Sequence, residues 1–106
     1  MIENERTHRK LTGDKDISLE EFRKAVGAVI RQLRKKTLRL TQIKLARLVG
    51  ITQASLCLIE NGRRVGRMET LWHIAFAMGM NLSALVAAAE QLAETSATDS
   101  RNKKSI

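Results

Sequence analysis

Apolar residues in this chain recur at helical spacing. Phe22, Val26, Val29, Ile30 and Leu33 fall at i, i+4, i+7, i+8 and i+11, one stripe of a helix. Ahead of them, Ser18 and Glu21 form a capping box, and Ile17 can staple onto Phe22. The spacing predicts a first helix that frays near Lys36 and Thr37. Thr41 caps a second helix, from Gln42 to about Val49, which Gly50 ends in a left-handed conformation. Thr52 caps a third, Gln53 to Glu60, stopped by Asn61 and Gly62. A fourth runs from about Met68 to Met78, with Leu71, Ile74, Ala75 and Met78 inward and Gly79 at its close. Asn81 caps a fifth that reaches about Glu94 and carries Leu82, Leu85, Val86, Ala89 and Leu92 on one side. No segment alternates clearly enough to be a strand. The expected class is therefore all-α, a compact five-helix bundle over residues 18–94. Polar, aperiodic residues flank it: a flexible N-terminal arm, 1–17, and a disordered basic tail, 95–106.

Composition narrows the function without naming it. A chain of 106 residues supports one small core. Its one cysteine cannot form an internal disulfide, and Cys57, His8 and His73 have no zinc-ligand spacing. No metal or cofactor is expected. Cys57 reads as a small half-buried filler, with redox sensing as the alternative, and His73 as a surface polar residue. There is no carboxylate pair, nucleophile–base set or glycine-rich phosphate loop, so an enzyme is not expected. The start, MIENERTHRK, is not a secretory signal. Residues 71–89 are long enough to span a membrane, but His73, Gly79, Asn81 and Ser83 interrupt them. A cytoplasmic protein, on the nucleoid when bound to DNA, is the expectation.

The charge changes the picture more. The net charge is +8, and no Asp or Glu occurs between Phe22 and Ile59. Arg23, Lys24, Arg31, Arg34, Lys35, Lys36, Arg39, Lys44 and Arg47 all lie there. A positive centre of this kind favours a polyanionic partner over mixed solubility charge.

Residues 42–61 supply a mechanism for meeting one. Leu45, Val49, Ile51, Leu56 and Ile59 are apolar, Ala46 is small, and Gly50 allows a sharp reversal. Two helices that cross steeply over a short turn need a small residue at the closest approach and a glycine at the corner. These seven positions make the helix-turn-helix pattern. The geometry disfavours the alternative of a basic membrane-surface or RNA-binding protein.

"TQIKLARLVGITQASLCLIENGRR" followed by "ETLWHIAFAMGM" resembles the Cro-like and phage-repressor-like domains of XRE-type bacterial regulators. The likeness covers roughly residues 24–87. It implies a five-helix DNA-binding domain that acts on operators, usually as a dimer. The family commonly has glycine where Arg39 stands and proline where Gly66 stands, so both loops are expected to differ in shape.

Carried over residue by residue, the resemblance implies that Gln53 enters the major groove, where an amide can bond adenine N6 and N7. Ala54, Ser55 and Leu58 would share that outward side. Leu58 would meet a thymine methyl or else pack on the protein. Phosphates would be held by Thr41 and Gln42 at a helix N-terminus, and by Asn61, Arg63 and Arg64. Lys44, Arg39 and Lys35 would extend the grip. Trp72 and Phe76 lie off the inner stripe of the fourth helix. They are covered by the fifth helix or the arm, or they form a dimer surface with Leu85, Ala89 and Leu92. A homodimer would match operator half-sites about 34 Å apart. The expected function is a sequence-specific regulator, a repressor of a palindromic operator. The alternative is the antitoxin of a toxin–antitoxin pair, with a toxin as protein partner.

Overall fold

Ser18 starts α1 (Leu19–Gln32) with both halves of its capping box made. Its hydroxyl accepts from the Glu21 N–H at 3.1 Å, and Glu21 Oε1 accepts from the Ser18 N–H at 2.9 Å. Ile17, just before the cap, is buried, and Phe22 packs on the same core. The computed structural model describes the backbone of residues 8–11 and 15–105 and the side chains of residues 17–96. Within the expected arm and tail, residues 1–7, 12–14 and 106 lie outside the described residues.

α1 does not fray where its periodicity fades. Residues Leu33–Leu38 widen into a π-helical turn, and the Arg34 carbonyl accepts from the N–H groups of both Arg39 and Leu40. Arg39 closes this turn at φ 54°, a left-handed backbone that a side chain disfavours. The chain thus makes a glycine-type turn here although the residue is arginine. Gly66 sits at φ 90°, which proline, locked near −65°, cannot reach. That loop therefore has a shape closed to the residue the resembling family favours.

Then come α2 (Gln42–Val49), α3 (Gln53–Glu60), α4 (Met68–Ala77) and α5 (Leu82–Ser105). The caps behave as expected: Thr41 Oγ1 accepts from the Lys44 N–H and Thr52 Oγ1 from the Ser55 N–H. Gly50 ends α2 at φ 87°. Val26, Ile30, Leu45, Leu56, Ile59, Ile74 and Leu85 are the large side chains buried most completely. Each contributes about 1.5–3 kcal/mol relative to exposure. Residues 71–89 form no continuous span, because α4 and α5 meet at a 98° bend. No single described helix is long and apolar enough to cross a membrane.

Three observations differ from the pattern-based expectation. The backbones of β1 (His8–Leu11) and β2 (Lys15–Ser18) pair antiparallel, His8 opposite Ser18 and Leu11 opposite Lys15, where no strand was expected. β2 rests on α1 and α5 with Ile17 in the core, so tertiary burial substitutes for the missing alternation. The helical backbone of α5 continues to Ser105, beyond the expected end at Glu94. Leu85 and Ala89, expected at a dimer surface, are wholly buried within the single chain, and Leu92 packs partly on the same core. α5 lies along α1, which consumes that stripe internally.

α1 also approaches the end of α3 unusually closely. A Cβ on Gly27 would lie 2.3 Å from the Ile59 carbonyl oxygen and 2.5 Å from that of Glu60. Only a residue without a side chain lets the two backbones pass.

Candidate nucleic-acid interface

α2 and α3 meet at 109°, within the range for two helices joined by a tight turn. Leu45 and Ala46 are buried at the crossing, while Val49 and Ile51 pack partly on the core beside it. The Gly50 and Ile51 N–H groups both return to the Ala46 carbonyl, at 2.8 and 3.0 Å. Leu56 and Ile59 then anchor α3 from beneath.

That anchoring decides what α3 presents. Gln53, Ala54 and Asn61 are exposed, and Cys57 and Leu58 are half-buried. At 100° per residue these five lie on one continuous side. Leu58 is not among the side chains packed on the core. Ser55 is displaced from the expected outward group: it stands two residues, or about 200°, beyond Gln53. It is half-buried, and its hydroxyl accepts from Thr52 Oγ1 at 3.0 Å. Cys57 shares this side at i+4 from Gln53, although it was not in the expected outward group. Its Sγ accepts from the Asn61 amide at 3.3 Å.

Beneath this side lies a polar network that residue patterns did not reveal. Glu60 and Arg34 are both buried and form a two-pronged ion pair, Nε to Oε2 at 2.7 Å and Nη2 to Oε1 at 3.0 Å. Arg34 Nη1 also donates to the Leu40 carbonyl at 2.8 Å, tying the loop before α2 to the pair. Gln42 Nε2 donates to Glu60 Oε1 at 2.9 Å. Its own Oε1 then faces Gln53 Nε2, a long contact of 3.5 Å. Gln42 was expected to grip a phosphate, but one of its two amide hydrogens is committed inward. Arg34, counted in the positive centre, is likewise withdrawn from the surface. One clue was legible: Glu60 is the only acid between Phe22 and Arg67, and it closes a buried stripe.

The remaining cations stay outside. Lys35, Arg39, Lys44, Arg63 and Arg64 are all exposed, as is Thr41 at the start of α2. They lie on the π-helical turn, the loop after it, α2 and the loop after α3. Trp72 and Phe76 are exposed on α4, away from the core.

A helix-turn-helix family model matches residues 30–85. The fold is similar to that of the clp gene regulator ClgR from Corynebacterium glutamicum, with TM-score 0.73 and 23% identity, over 78% of this chain and 87% of that one. The restriction-modification controller protein C.AhdI from Aeromonas hydrophila is similar at TM-score 0.54 and 27% identity, over 63% and 94%. An HTH_3 family transcriptional regulator from Vibrio cholerae is similar at TM-score 0.61 and 31% identity, over 71% of this chain and 42% of that one. No curated protein matches the chain in sequence.

Proposed function

The chain belongs to the helix-turn-helix family, and from that premise we propose that it is a sequence-specific DNA-binding transcriptional regulator. It acts as a repressor, two copies together on a palindromic operator, and works by binding rather than catalysis. The observation that carries this reading is the 109° arrangement of α2 and α3 with Gln53 exposed at the first turn of α3. A helix so placed can enter the major groove N-terminus first while α2 crosses the backbone.

The Gln42 contact sharpens the chemistry. With Gln42 Nε2 held by Glu60, its Oε1 can take one hydrogen from Gln53 Nε2. The second Nε2 hydrogen and Oε1 of Gln53 remain for a base. Adenine, with N7 accepting and N6 donating, fits that pair. Ala54, Cys57 and Leu58 offer small or apolar contacts of the kind that suit a thymine methyl. Thr41, Lys44, Asn61, Arg63 and Arg64 hold phosphates, with Arg39 and Lys35 at the margin, and Ser55 supports the helix through Thr52.

Selection of bound duplexes from a random pool tests the reading, which requires one preferred sequence with two-fold symmetry. On that sequence, Gln53→Ala should weaken binding by about 1–3 kcal/mol and relax the preference at one base pair. An equal loss on every duplex would remove Gln53 from base reading. Arg63→Ala should instead weaken all duplexes alike and reduce the slope of log affinity against log salt by about one. If the slope does not change, Arg63 makes no phosphate contact.

A further inference from the structure

The exposed aromatic side chains lie in a part of the chain whose charge differs from the rest. From Met68 to Ser100 there is no Lys or Arg, and Glu69, Glu90, Glu94 and Asp99 are the only charged residues if histidine is neutral. From Phe22 to Arg67 the reverse holds, since Glu60 is the only acid and is buried against Arg34. α4 faces solvent with Met68, Trp72 and Phe76, which are 75%, 49% and 70% exposed. Their i, i+4, i+8 spacing sets them in one line about 12 Å long. Trp72 and Phe76 stack in parallel, ring centres 5.3 Å apart and planes within 7°. The His73 ring stands nearly perpendicular to Trp72, with ring centres 5.2 Å apart. Met68, Trp72 and Phe76 thus make a pre-formed apolar strip.

We propose that this α4 face is where a second copy of the chain docks, α4 antiparallel on α4 about a two-fold axis through Trp72. The proposal rests on the two-copy operator reading and deepens it by naming the surface. Charge selects the occupant. Two chains of net charge +8 repel across most facing surfaces, but α4 carries no cation to oppose its own image. Antiparallel pairing also sets Met68 over the partner copy's Phe76, so one line of three residues is complementary to itself. Docking there leaves the cationic residues 31–67 free for DNA. The exposed parts of the three side chains amount to on the order of 400 Å² per copy. A standard interface uses about 800 Å² per partner, so the pair is weak and forms with rising concentration.

Trp72 is the only tryptophan, so its fluorescence reports on this face alone. Sedimentation and emission spectra of the full chain, from about 1 µM to 1 mM, provide the test. The expected result is a doubling of mass accompanied by a blue shift of emission. Phe76→Lys should raise the midpoint concentration at least tenfold while leaving the thermal unfolding temperature unchanged at concentrations where both proteins are single chains, because Phe76 is mostly exposed. An emission that stays constant as mass doubles, or an unchanged midpoint in Phe76→Lys, overturns the α4 assignment while leaving a two-copy regulator standing. A chain that remains single throughout also overturns it. Recovery of only single half-sites in the duplex selection would separately overturn the two-copy reading.

Discussion

Glu60→Ala is expected to lower stability by about 3–5 kcal/mol, because it strands the Arg34 guanidinium, buried in all but 9% of its side chain, without its carboxylate. A domain of this size has only about 5–15 kcal/mol in total. The melting temperature should accordingly fall by roughly 10–20 °C. The loss measures the uncompensated charge rather than the strength of the pair. Arg34→Met combined with Glu60→Leu should therefore recover most of it, since apolar residues of similar volume need no partner. The double variant separates two functions of the pair. It should fold, yet Gln42 would lose the carboxylate that fixes its amide, and discrimination at the Gln53 base pair should weaken. Thermal unfolding and duplex binding of the three variants check both parts. A single variant that loses under about 1 kcal/mol would mean that water reaches the pair.

Gly27→Ala should cost about 3 kcal/mol or more, although alanine is the better helix former by about 1 kcal/mol. The new methyl would meet the Ile59 and Glu60 carbonyls at 2.3 and 2.5 Å, and both obstacles are backbone. No rotamer change can relieve the overlap, so α1 and the end of α3 must separate and carry Glu60 away from Arg34. Gly50 offers the comparison. A Cβ there meets nothing within 4 Å, and only its φ of 87° opposes alanine. Gly50→Ala should consequently cost less, about 1–2 kcal/mol. Denaturant unfolding of the two variants side by side distinguishes steric contact from backbone preference, and equal losses would refute the close approach at Gly27.

These two sites show where a linear reading stops. Capping by Ser18, Thr41 and Thr52, the left-handed Gly50 and the inner stripes of α1 and α4 depend on residues within a few positions of each other. Spacing therefore determined them, and with them the all-α class and the helix-turn-helix. The two-stranded ribbon was not legible, because the burial of Ile17 is fixed by α1 and α5. Arg34 and Glu60 are 26 residues apart, and Gln42 reaches Glu60 across 18. Nothing local distinguishes a buried arginine from the exposed cations around it. Gly27 reads as an ordinary glycine in a helix until the end of α3 lies against it. α5 gives the clearest case. Its periodicity determined that Leu85 and Ala89 must be covered, since an apolar stripe is unfavourable in water whatever covers it. Only the tertiary structure decided what covers them: α1 of the same chain takes that stripe, and the exposed line on α4 remains.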